Sequence, residues 1–267
     1  MKTQIIAEAA TNHLGDVGRA LEMVDAAADL GCDFIKFQSW QAKNLRPDDP
    51  GLPFHQQREL SDEAHWKLVD RCITRGIDFL TTCFDAERIP FLQSLGLKTI
   101  KIASPDCGAY PFLRKVREAF DEVIASTGMS YDVEVAGCAR ALQGGSFCLC
   151  HCVSIYPTPA DQVNLARLDW LRQFSPRVGY SDHSLGTAAG KLAIARGAVY
   201  LEKHFTLERN PQDPYSAMSG TPDEFRELVA YAREVEQLLG QPQRELTPVE
   251  EEARSVWIDR RGRNRAA

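Results

Sequence analysis

The chain has 267 residues, 44% of them hydrophobic and 25% charged, with a formal net charge of −6. This is ordinary globular composition, and the acidic balance argues against a nucleic-acid binder or a protein held on an anionic membrane. No apolar run approaches the roughly 20 residues that span a bilayer, and Met1-Lys2-Thr3 leads straight into Ile5-Ile6-Ala7 with no apolar leader ahead of it, so the expected setting is the cytoplasm.

Short apolar or β-branched runs alternate with segments of helical period along nearly the whole chain. Strands are expected over 5–10, 33–38, 78–84, 99–104, 122–127, 147–152, 177–182 and 199–205. Helices are expected over 17–30, 61–75, 85–95, 111–119, 131–143, 164–174, 186–196 and 222–239. Gly31, Gly76, Gly96 and Gly197 stand just before the following strands, where helix-terminating glycines belong. Ser61 and the pair Thr221-Pro222 read as helix starts. Eight β-then-α units in a row predict a single-domain (β/α)8 TIM barrel over 1–240. An open doubly wound sheet also alternates, but it usually has a glycine-rich loop after its first strand. Here that strand runs into Glu8-Ala9-Ala10-Thr11-Asn12-His13. The connection over 39–60 is long enough to be a lid or a binding loop. Residues 241–267 read as a polar tail, frayed, with its arginines at 260, 261, 263 and 265 in solvent.

The eight cysteines do not read as a disulfide framework in a chain of this length. Cys148, Cys150 and Cys152 alternate within one strand, so they share a face and His151 points away from them. Buried packing is the better account of the trio than a zinc site.

In a barrel the carboxyl ends of all strands converge on one face, and catalytic groups come from there. The strands deliver Glu8, Asn12 and His13; Lys36 and Gln38; Thr81 and Thr82; Lys101, Ser104 and Asp106; Ser126 and Thr127; His151, Ser154 and Tyr156; Ser181, Asp182 and His183; and Glu202, Lys203 and His204. Two lysines inside apolar strands, with Thr82, Ser126 and Ser181 nearby, point to an anion site. The competing reading is that each lysine pairs with a barrel carboxylate such as Glu8 or Glu202. His183 and His204 end adjacent strands, so their imidazoles can meet around a divalent ion, although a lone strand-end histidine is more often only hydrogen-bonded.

Eight segments carry a family resemblance: IIAEAATNHLGD, DFIKFQ, KIAS, STGM, HCVSIYPTP, VNL, GYSDHSLG and EKHFTLERN, in this order. Over about 5–240 the chain resembles the sialic acid synthase family, the phosphoenolpyruvate-dependent nonulosonate synthases. The resemblance implies addition of C3 of phosphoenolpyruvate to the aldehyde of an open-chain N-acetylated hexosamine, water attack at C2, and loss of phosphate by C–O cleavage. It implies that His183 and His204 hold Mn2+ or Mg2+. Lys36, Thr82, Lys101, Ser126, Ser154, Tyr156 and Ser181 would bind phosphoenolpyruvate. Glu8 would handle a proton or position the aldehyde, and Asn12, His13 and Gln38 would stand at the mouth.

Three departures fall on the acceptor side. Where the family has Ser-Gly-Glu, this chain has Ser104-Pro105-Asp106. Where the family has Pro-Gly-Pro-Asp, Asp213-Pro214-Tyr215 puts Tyr215 in the aspartate position. The chain also ends where the linker to the family's C-terminal antifreeze-like domain would begin. The expected enzyme is therefore a carbon–carbon bond-forming transferase whose acceptor is not plain N-acetylmannosamine, or one whose cap comes from another chain. Its expected partners are phosphoenolpyruvate and an aldose, with a barrel-to-barrel homodimer as the assembly. The alternatives are a related 3-deoxy-ulosonate synthase, a metal-dependent pyruvate aldolase, or a non-catalytic partner of a full-length synthase.

Overall fold

The structure is a computed structural model and describes residues 2–210, 215–240 and 245–259. Eight parallel strands close into a barrel in sequence order: β1 (Gln4–Glu8), β2 (Phe34–Ser39), β3 (Asp78–Cys83), β4 (Thr99–Ile102), β5 (Glu122–Ser126), β6 (Ser146–Cys152), β7 (Val178–Asp182) and β8 (Tyr200–His204). Around them run α1 (Val17–Asp29), α2 (Leu52–Arg58), α3 (Asp62–Arg75), α4 (Ile89–Ser94), α5 (Tyr110–Ala119), α6 (Asp132–Leu142), α7 (Arg167–Leu171), α8 (Ala188–Ala195) and α9 (Pro222–Leu239), followed by α10 (Pro248–Asp259). The TIM-barrel expectation holds. Among the described residues no helix is long and apolar enough to cross a membrane.

The period-two alternation of a strand sorts its residues between lumen and helices. Ile5, Ala7, Ile35, Phe37, Ile100, Ile102, Val123, Leu149, Val178 and Leu201 face outward and share one core with Ala20, Met23, Val24, Leu68, Leu113, Leu168, Phe225 and Leu228 of the helices. The residues between them face inward. Ile6, Phe34, Leu80, Ile124, Cys148, Cys150 and Tyr200 form a separate apolar cluster that plugs the lower lumen. The Tyr200 hydroxyl donates to Glu122 (3.0 Å), which also pairs with Arg177 at 2.7 Å, and this network ties the lower ends of β5, β7 and β8. All eight cysteines are free and buried.

Local signals account for most boundaries. The Ser61 side chain accepts from Ala64 N to cap α3, and Gly76 ends it at φ 68°, a left-handed conformation that glycine adopts at little cost. Thr221 and Glu224 cap α9 reciprocally.

Three expectations are revised, and one connection gains a helix. The helix expected over 85–95 opens as a 3-10 turn, Ala86–Arg88, before α4. The helix expected over 164–174 shrinks to α7, because Asn164 has φ 46° and cannot be its first turn. The long connection contains α2, with Pro53 in its first turn, where the missing N–H costs nothing. The tail is not frayed over 248–259: Thr247 N donates to Glu250 and Glu250 N donates back to Thr247, a capping box that starts α10. The arginines at 260–265 lie outside the described residues.

One lumen position leaves no space. A Cβ on Gly179 would stand 2.7 Å from Cys150 Sγ and 2.9 Å from the Tyr200 carbonyl oxygen. Gly179→Ala is therefore expected to destabilise the barrel by about 1–3 kcal/mol, read as a lower urea midpoint with unchanged m.

Candidate active site

Above the apolar plug the inward positions become polar. Register sets Glu8 beside Lys36 and His204, Thr82 beside Lys101, and Ser181 beside Glu202. These side chains line a cavity of about 160 Å³ together with Gln38, Phe84, Ser104, Ser126, Met129, Cys152, Ser154, Tyr156 and His183.

Both lysines are paired with carboxylates, as the competing sequence reading had it. Lys36 Nζ lies 2.6 Å from Glu8 Oε2 and donates to Thr82 Oγ1 at 2.8 Å. Lys101 Nζ donates to Ser126 Oγ at 2.5 Å, and Ser126 is 2.9 Å from Ser181 Oγ. Glu202 Oε2 stands 3.9 Å from each lysine nitrogen and has no hydrogen-bond partner. Gln38 Nε2 donates to Glu8 Oε1 at 2.8 Å. The lysines nevertheless keep donors and charge facing the cavity, so a bound anion can take over their partnership.

The two carboxylates differ. Burial raises the Glu8 pKa to about 7; Lys36 opposes the rise and Glu202 adds to it. Burial also pushes Glu202 upward, but Lys101, Lys36 and His183 together outweigh it and hold this carboxyl below its ordinary range. One group can therefore take or give a proton near neutrality while the other stays ionised.

His183 and His204 have their ring centroids 5.5 Å apart. His183 Nδ1 faces the Val153 carbonyl oxygen at 2.9 Å. Donation there leaves Nε2 as the free lone pair, the tautomer a metal ligand needs. Burial first, then the charge that His183 would carry if protonated and the charge of Lys36, holds His204 well below the usual imidazole range, and its Nδ1 is buried without a partner. Among the described residues no group of three or more His, Cys, Asp or Glu stands at metal-binding spacing. Two imidazoles beside an open cavity are residues that could hold a divalent ion.

Tyr156 covers His183 at 4.2 Å between centroids, and Tyr215 stacks on His204 at 5.9 Å. The tyrosines are 5.9 Å apart, so they form an aromatic rim over the imidazoles. Tyr215 is thus at the mouth, although Asp213 and Pro214 lie outside the described residues. Asp106 does not line the cavity; its Oδ2 is buried without a partner, and burial and then Asp85 raise its pKa to about 6. Asn12 is also turned away. Its side chain donates to the Phe205 carbonyl oxygen (2.7 Å) and Ser219 Oγ (3.0 Å), joining the loop after β1 to the loop after β8. His13 is fully buried, and burial first lowers its pKa to about 4.

Of the groups placed at strand ends by sequence, Thr81, His151, Asp182 and Lys203 have the wrong parity and face outward; His151 Nε2 bonds to the Val163 carbonyl oxygen instead. The cavity also holds Cys152, Phe84 and Met129, which were not assigned to it, and Glu202, which was expected at this face as a lysine partner. Counting back two residues from Ser154 would have found Cys152. Met129 closes the STGM segment quoted for the family resemblance and reaches the cavity from a loop position with φ 56°.

A profile of the NeuB family matches residues 23–244. The chain belongs to that family. The N,N'-diacetyllegionaminic acid synthase of Campylobacter jejuni is 36% identical over 90% of this chain and 78% of its own length. The human N-acetylneuraminate-9-phosphate synthase is 32% identical over 92% of this chain and 74% of its own. The crystal structure of the N-acetylneuraminic acid (sialic acid) synthetase of Leptospira borgpetersenii, in complex with citrate, superposes with a TM-score of 0.90 at 31% identity, over 100% of this chain and 94% of that one. NeuB family synthases are transferases that form a carbon–carbon bond using phosphoenolpyruvate, and this chain is an enzyme of that kind.

Because the folded-state pKa of Glu8 is raised from 4.5 to about 7, the folded protein binds the proton more tightly than the unfolded chain. That contribution is present below pH 4.5 and is lost as pH rises through about 7. Glu8→Gln should gain stability relative to wild type between pH 5 and pH 8, by a few kcal/mol at about 1.4 per pKa unit, in urea denaturation of the metal-free protein.

Proposed function

We propose that this enzyme condenses phosphoenolpyruvate with an open-chain amino-sugar-type aldehyde, giving a 2-keto-3-deoxy sugar acid of nonulosonic type and phosphate. The observation that carries the reading is the joining, in one cavity, of two buried lysines with three hydroxyls to a pair of strand-end imidazoles. Lys36, Lys101, Thr82, Ser126 and Ser181 suit the phosphate and carboxylate of phosphoenolpyruvate, with Ser154 and Tyr156 closing over it. Gln38 holds Glu8, and Glu8 is placed to move the proton that must arrive at the aldehyde oxygen or leave the attacking water. His183 and His204 would hold Mn2+ or Mg2+, which when bound supplies polarisation of the aldehyde carbonyl. The C3–C1 bond forms, water adds at C2, and the C2–O bond to phosphate breaks.

The acceptor we infer is not plain N-acetylmannosamine. Asp106 is withdrawn from the cavity, and Tyr215 and Tyr156 offer ring faces where sugar hydroxyls would need polar partners. Such a rim suits a less hydroxylated acceptor, for example a 6-deoxy diacetamido hexose, and the name of the Campylobacter relative supports it.

With Mn2+ and a panel of amino-sugar aldoses, phosphate release from phosphoenolpyruvate should appear with a deoxy diacetamido hexose and be abolished in His183→Ala. Lys101→Met should raise KM for phosphoenolpyruvate by about 10- to 100-fold. Efficient turnover of N-acetylmannosamine by the protein alone would overturn the acceptor assignment, and absence of phosphoenolpyruvate binding would overturn the whole reading.

A further inference from the structure

The two imidazoles sit where the backbone stops joining their strands. The register between β7 and β8 runs Tyr180↔Leu201, Ser181↔Glu202, Asp182↔Lys203, and ends there. One residue further the chains diverge. The His183 carbonyl oxygen accepts from Thr158 N (2.9 Å), in the loop after β6, while the His204 carbonyl oxygen accepts from Gly220 N (2.7 Å), beyond the loop after β8. The last rung carries a buried ion pair on its outer face, between Lys203 Nζ and Asp182 Oδ2 at 3.0 Å, with side-chain exposures of 1% and 0%.

Every contact of this pair bears on the segment holding His183. Lys203 Nζ also donates to the Ser184 carbonyl oxygen at 2.6 Å, so a side chain from β8 grips β7 on both sides of His183. Asp182 Oδ1 accepts from Ser184 N (2.8 Å), Ser184 Oγ (2.7 Å) and Tyr180 OH (3.1 Å). That shapes the turn in which His183 sits. The carboxylate thus has four donors and the ammonium two acceptors. A buried ion pair seldom adds net stability over an apolar pair of similar volume, and the neighbouring outward positions, Tyr180, Leu201 and Phe205, are apolar or aromatic core.

We propose that Asp182 and Lys203 are positioning residues: they form a clamp on the outside of the barrel that fixes the separation of His183 and His204 inside it, and thereby sets the affinity of the site for a divalent cation. The inference rests on the reading of those two histidines as metal ligands. Two imidazoles can share one ion only if both nitrogens come within about 2.0–2.2 Å of it, so strand ends that splay by an ångström lose the second ligand. The pair never touches the ion; it acts through the strands.

The test is calorimetric titration of Mn2+ into metal-free protein, with Mn2+ electron paramagnetic resonance as a second measure of bound ion. Lys203→Met, and the charge-neutral double variant Asp182→Asn/Lys203→Met in case the single leaves an aspartate too costly to bury, should bind Mn2+ about 10- to 100-fold more weakly than wild type while still folded. Glu122→Gln/Arg177→Met removes the ion pair at the opposite end of the barrel. It should lower the melting temperature and leave Mn2+ affinity unchanged. The clamp is overturned if the Lys203 variants fold and bind Mn2+ within twofold of wild type, or if the Glu122/Arg177 variant loses affinity equally, since loss of stability would then be the cause. Wild-type protein that binds no Mn2+, or a His183→Ala variant that binds it undiminished, would overturn the metal reading itself and the clamp with it.

Discussion

Glu8 and Glu202 face Lys36 and Lys101 across the top of the lumen, four ionisable side chains removed from water in one layer. Alone, each would be too costly to bury; together they neutralise one another, with Thr82, Ser126 and Gln38 supplying hydrogen bonds. The balance is incomplete, because Glu202 lies at 3.9 Å from both lysines with an oxygen unsatisfied, and burial drives Glu8 toward its protonated form. Such a layer is poised for an anionic substrate: the lysines can turn from carboxylate to phosphate without any charge entering a dry interior unpaired.

The rest of the molecule holds that layer in place. Below it the apolar plug of Ile6, Phe34, Leu80, Ile124, Cys148 and Tyr200 excludes water from the lower lumen. Beside it the carbonyl of Val153 sets the tautomer of His183, and two tyrosines roof the imidazoles. Outside it, Asp182 and Lys203 join the strands where their ladder ends. Inner chemistry and outer support alternate residue by residue along β7 and β8, because successive side chains of a strand point to opposite faces.

Much of this was legible in the chain itself. The alternation of short β-branched runs with helical segments, punctuated by Gly31, Gly76, Gly96 and Gly197, determined eight strand–helix units and so the barrel. The polar residues ending those strands determined the composition of the site: Glu8, Lys36, Gln38, Thr82, Lys101, Ser126, Ser154, Tyr156, Ser181, His183 and His204 all line one cavity. The capping boxes of α9 and α10 have the same spacing, yet only Thr221 was expected as a helix start, because a polar surround hid Thr247 and Glu250.

Tertiary structure decided what spacing along the chain cannot express. A strand-end residue is inside or outside according to parity with the closed barrel, and that sent His151, Asp182 and Lys203 outward and brought Cys152 into the cavity beside Glu202. Partners distant in sequence took Asn12 from the mouth to the β8 loop and left Asp106 beside the cavity instead of in it. The pairing of each lysine with its carboxylate, and the difference between two chemically identical glutamates, arose only when closure set strands far apart in the chain within a few ångströms in a dry lumen. Sequence determined which groups were present and how the strands would run; burial and closure determined which of them meet and which proton each can hold.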